Sequence, residues 1–90
     1  MIDEHGHTWY DLTHCRAPTE TEVMTGIYEH GKGWRNVQSL TLSRGLWFHP
    51  DMSMYVYYQP THWRPIPGLT DKNKLYAMNI PLPKAEVARG

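Results

Sequence analysis

Residues 22–41 read EVMTGIYEHGKGWRNVQSLT. Val23, Thr25 and Ile27 alternate with Met24, Gly26 and Tyr28, the period of two that sorts side chains onto opposite faces of a strand. The β-branched members of the first set favour extended backbone over helix. His30-Gly31-Lys32-Gly33 then supplies two glycines that tolerate positive φ, so the chain turns and residues 34–41 return as the hairpin partner, with Leu40 and Leu42 continuing it. Antiparallel β-structure is the organising principle.

Working outward, Ser43-Arg44-Gly45 turns the chain into Leu46-Trp47-Phe48, and His49-Pro50-Asp51 ends that strand. Residues 52–58 alternate Met52, Met54, Val56 and Tyr58 against Ser53, Tyr55 and Tyr57, which predicts a further strand whose Met54/Val56 side is the more apolar. Prolines at 60, 65 and 67 argue against an ordinary central strand after that point. They push Gln59, Arg64 and Ile66 into extended conformations, predicting a closing arm on which Trp63 and Ile66 plug one end of the sheet, with the His62 ring bonded to backbone. Thr19 and Glu22 have capping-box spacing, but the β-branched run that follows favours strand. Residues 70–79 fit one short helix capped by Thr70, with Leu75 and Met78 on one face; a strand over 75–80 is the alternative. The predicted fold is one small, mainly β domain over residues 1–90: a curved antiparallel sheet or partly closed barrel with at most one or two short helices. Residues 1–8 read as a flexible N-terminus and residues 84–90 as a frayed tail.

Ninety residues suffice for a single core. Four Trp and six Tyr offset a modest aliphatic content, since each aromatic buries about 150–250 Å². Cys15 is the only cysteine, which excludes an intrachain disulfide framework and fits a reducing compartment. No apolar run reaches the length of a signal-peptide core or a membrane span, so the sequence reads as cytoplasmic, without a membrane partner. The formal net charge of zero conceals an asymmetry. Residues 1–30 carry six acidic residues against Arg16 alone, and residues 31–90 carry eight Lys or Arg against Asp51, Asp71 and Glu86.

Pro60-Thr61-His62-Trp63-Arg64-Pro65-Ile66-Pro67, preceded by Trp9, Pro18, Val23 and an aromatic strand, resembles domain of unknown function family 551. Members are small proteins common in tailed-phage and prophage genomes, many ending in a Thr-His-Trp-x-Pro-Leu-Pro motif. Ile66 stands where leucine is usual, and the likeness covers residues 9–68. No catalytic or binding residues are established for the family. The resemblance implies a phage or prophage accessory gene acting in a bacterial host cell.

Several constellations carry candidate chemistry. Glu20, Glu22 and Glu29 concentrate negative charge where positive charge is nearly absent, a candidate surface for a basic partner protein. Arg35, Arg44, Trp47, Tyr55 and Tyr57 interleave cations with aromatics, the composition that stacks bases and tracks phosphates, although a neutral pI opposes net phosphate neutralisation. His5, His7, His14 and Cys15 are candidate metal ligands, but their spacing matches no established zinc motif. Cys15 and His14, as neighbours, point apart in a strand and make a poor nucleophile–base pair. No serine elbow, phosphate loop or paired carboxylate motif is present. The expectation is a non-enzymatic accessory protein without a cofactor that binds and modulates a host or phage protein, for example a bacterial defence complex as anti-CRISPR proteins do. A nucleic-acid-binding module is the alternative.

Overall fold

A computed structural model describes residues 1–83. It contains β1 (Tyr10–Asp11), β2 (Glu22–Glu29), β3 (Gly33–Ser43), β4 (Leu46–Phe48), β5 (His62–Pro65) and one helix, α1 (Lys72–Ala77). The strands form a five-stranded antiparallel sheet in the order β1-β5-β2-β3-β4, which does not close into a barrel. The predicted tail at 84–90 lies outside the described residues.

The β2–β3 hairpin forms where its alternation and glycines place it. Lys32 N–H donates to Glu29 C=O at 2.9 Å, and Gly31, third in that four-residue turn, has φ +85°. Positive φ at that position favours glycine. The pairing then slips: Thr25 faces Gln38 but Ile27 faces Arg35, so Asn36 and Val37 together oppose Gly26. This bulge brings the Trp34 ring over Gly26, where a Cβ would lie 2.9 Å from Cε3. The β3–β4 turn is Arg44-Gly45, both at positive φ, as a two-residue type I′ hairpin requires.

Both faces of the sheet carry packed side chains. Val23, Leu40, Trp47 and Trp63 pack on one face with Ala17, Leu75 of α1 and Ile80. Trp63 has no solvent exposure and donates its indole N–H to Cys15 C=O at 3.0 Å. The other face carries Trp9, Tyr28, Trp34 and His62: Trp9 and Trp34 lie 4.3 Å apart between ring centroids, and Trp34 and His62 meet edge-on at 5.3 Å. The Arg64 guanidinium sits over the Trp9 ring.

Five expectations need correction. The closing arm is an interior strand: β5 lies between β1 and β2. Leu12 N–H bonds to Thr61 C=O, and antiparallel pairing aims alternate residues the same way, so the bare Pro65 nitrogen faces the β1 side, where pairing stops at Trp63. His62 bonds the Thr61 hydroxyl at 2.8 Å rather than backbone. Residues 52–58 are not a regular strand; Met52 has φ +63°, and only the part around Tyr55 pairs, with Phe48. Residues 1–8 are ordered. Asp3 and Gly6 form a turn, Ile2 bridges Thr8, and Met1 and Trp9 exchange backbone bonds at 2.7 and 3.1 Å. The fifth correction concerns α1, which is capped by Asp71 accepting from Asn73 N–H. Thr70 instead ties loop to sheet, donating to Glu22 C=O and accepting from Ile66 N–H. The strand alternative over 75–80 is not adopted.

Candidate functional site

β4 is three residues long, and its alternation puts Trp47 on the core face with Leu42 and Leu46 and Phe48 on the opposite face. Residues 54–56 return beside it: His49 N–H donates to Met54 C=O at 2.9 Å and Val56 N–H to Trp47 C=O at 2.8 Å. These two bonds flank Phe48 and Tyr55, which therefore form a non-hydrogen-bonded antiparallel pair with close side chains. Their rings meet edge-on at 5.8 Å, and Tyr57 continues the row 5.4 Å from Tyr55. The Arg44 guanidinium, carried by the hairpin turn, lies 5.8 Å from the Phe48 ring centroid. Tyr57 is 83% exposed, and Leu46, Met52, Met54 and Tyr55 are exposed around it. Scattered surface apolar groups are ordinary in folded proteins, but an aromatic row with a cation at one end is an arrangement interfaces favour.

The predicted residues divide accordingly. Arg44, Tyr55 and Tyr57 come together, while Trp47 is 3% exposed and belongs to the core, so it cannot stack on a base. Arg35 is held by Glu29, which also lies 3.9 Å from Lys32. Glu22 and Glu29 stand at opposite ends of β2, an interior strand, so Glu20 and Glu22 do not share an acidic edge with Glu29. Leu46 and Phe48 are the members that sequence reasoning missed. A three-residue apolar strand does not reveal which parity faces inward, and the exposed parity carries the surface.

Asp3 organises the N-terminal turn that carries His5 and His7. Asp3 accepts from the Trp9 indole at 2.8 Å, from the His5 and His7 backbone at 2.9 Å each, and contacts the His7 ring at 3.3 Å. Burial raises the affinity of this carboxyl for a proton, but the four donors outweigh it and hold it well below the ordinary carboxylate range. His14 and Cys15 lie in the segment that meets Trp63, and Cys15 packs against the core. Among the described residues no group of three or more His, Cys, Asp or Glu is placed to hold a metal ion.

Two grooves flank the closing motif. One, of about 540 Å³, is walled by Tyr10, Met24, Pro65, Ile66 and Pro81. The other, of about 530 Å³, is lined by Asp11, Tyr28, Pro60, Thr61 and His62. Burial makes the His62 imidazole harder to protonate, against the opposing pull of Asp11. The Thr61 hydroxyl is held by Tyr28 N–H at 2.8 Å and by the His62 ring, so it orders the strand crossing.

Comparison with protein-family models, with curated proteins and with solved structures gives no match. The likeness to the phage family therefore rests only on Trp9, Pro18, Val23 and the motif at residues 60–67. Among the described residues no helix is long and apolar enough to cross a membrane.

Proposed function

We propose that this protein acts by binding rather than catalysis, and engages a partner protein through the Arg44, Leu46, Phe48, Tyr55 and Tyr57 surface. The carrying observation is the row of three rings with Arg44 at one end, in which Tyr55 and Tyr57 are exposed and Phe48 is half-buried. Tyr and Arg dominate interface energetics, because a large ring or a planar cation gives much contact for little ordering entropy. Arg44 is the only cation among the predicted nucleic-acid residues that touches the row, which favours a protein over a phosphate backbone. Given the provenance the closing motif implies, the partner is a host or phage protein in a bacterial cytoplasm, and inhibition of a defence complex such as CRISPR–Cas is one form the activity takes.

Affinity capture from a bacterial lysate, with and without nuclease, tests this reading. The wild type is expected to recover a protein resistant to nuclease, with recovery reduced about tenfold or more by Tyr57→Ala and by Arg44→Ala. Equal recovery by both variants refutes the assignment of this surface. Capture of single-stranded nucleic acid, lost in Arg44→Ala, replaces it with the nucleic-acid reading.

A further inference from the structure

The outer border of the sheet beyond β4 is formed by residues 54–56, and its backbone is open. Because Phe48 and Tyr55 form a non-hydrogen-bonded pair, the N–H and C=O of Tyr55 point away from β4. Among the described residues no backbone group bonds either of them. An edge of this kind templates pairing with another strand, and native edges are usually blocked by charge, proline or a covering loop. Residues 52–58 contain no charged residue and no proline. The opposite border, β1, is only two residues long and offers little to pair with.

We propose that two copies of this chain join at this border, Tyr55 against Tyr55, in a two-fold antiparallel pair that makes one continuous sheet. The segment is suited to its own copy. In that register Met54 meets Val56, both uncharged, so no like charges face each other across the axis. The two Tyr55 residues exchange both backbone bonds, with Cα atoms about 5.5 Å apart. The axis lies perpendicular to the sheet, so each chain keeps its faces on the same side. The Phe48–Tyr55–Tyr57 rows of the two copies then meet in a single aromatic surface with an Arg44 at each end. This rests on the reading of that surface as the partner site and gives the site a two-fold form. Only a few residues pair, so association is weak and dimer should accumulate across about 10 µM to 1 mM.

Sedimentation of the full chain across that range, with reductant present to exclude a Cys15 disulfide, reads the association. Amide exchange reads its geometry: the Tyr55 N–H should exchange quickly when dilute and slow as dimer accumulates. Tyr55→Lys and Tyr55→Glu should each be monomeric, because like charges would face across the axis, and an equimolar mixture of the two should dimerise. A wild type that stays monomeric throughout, or a dimer whose Tyr55 amide gains no protection, overturns the proposal; the exchange measurement needs no variant to fold. A monomeric wild type that still captures a partner through Tyr57 and Arg44 overturns the two-fold form and leaves the partner-binding reading standing.

Discussion

Replacing Asp3 with alanine is expected to cost stability out of proportion to its place near the chain start. Its carboxylate is the acceptor for the indole of Trp9, whose side chain lies under Arg64 and against Trp34 with 3% exposure. Losing the acceptor leaves a buried donor unmet, and hydrogen bonds to charged groups contribute about 1.5–3 kcal/mol. The His5 and His7 backbone donors lie nearer solvent and can turn to water, adding about 0.5 kcal/mol each. The expected loss is about 2–4 kcal/mol, which in a domain of this size lowers Tm by roughly 10–25 °C. Urea denaturation followed by tryptophan fluorescence at pH 7 measures it. The pH dependence gives an independent signature. Because folding lowers the proton affinity of Asp3, its contribution is complete above the unfolded value near 4 and is lost as pH falls below it. The stability gap between wild type and Asp3→Asn should therefore narrow progressively as pH falls below about 4. A loss under about 0.5 kcal/mol for Asp3→Ala, or an unchanged gap between wild type and Asp3→Asn in acid, refutes the view that this carboxylate clamps the N-terminal segment.

Gly26→Ala should destabilise by about 1–3 kcal/mol, since its Cβ would press into the Trp34 ring; thermal unfolding within about 0.5 kcal/mol of wild type would show that the ring moves aside freely. Trp63→Ala should cost about 3–5 kcal/mol, and Trp63→Phe less, because the phenyl ring refills most of the cavity but leaves Cys15 C=O without its indole donor; equal losses in denaturation would contradict a packing origin. Folding disfavours the protonated form of His62, so stability should decline as pH falls below about 6.5, where the unfolded chain takes up a proton that the buried ring resists; His62→Gln should flatten that part of the profile, and an unchanged slope would acquit the ring.

The β2–β3 hairpin was legible because its signals are local: period-two alternation, β-branched residues and glycines at the turn all agree. The placement of β5 was not. Proline argues against a central strand only where its missing amide faces a neighbour, and whether Pro65 has one depends on where β1 ends, a non-local fact. Residues 52–58 misled in the other direction, since their alternating apolar residues build an exposed row and their backbone turns back at Met52. Order in residues 1–8 rests on a local turn, a short backbone bridge to Trp9 and one carboxylate meeting an indole, which leave no periodicity. A signal was nonetheless available: Asp3 followed by Gly6 three residues later is the composition of a tight turn, and Gly6 N–H does bond Asp3 C=O at 3.0 Å. Of the candidate surface, Arg44, Tyr55 and Tyr57 were readable from composition, whereas the burial of Trp47 depends on strand parity, which a three-residue strand does not reveal.

The insertion of β5 between β1 and β2 has a consequence for synthesis. A ribosome delivers residues 10–11 and 22–29 long before the strand that must lie between them. Until His62–Pro65 emerges, β2 lacks a neighbour on one side, and Val23 waits further for Leu75 and Ile80. The nascent β2–β3 hairpin can form early, but two-stranded hairpins alone are marginal. Folding should thus be committed only once the segment through Ile80 clears the exit tunnel, with the apolar face of the hairpin open to chaperones until then.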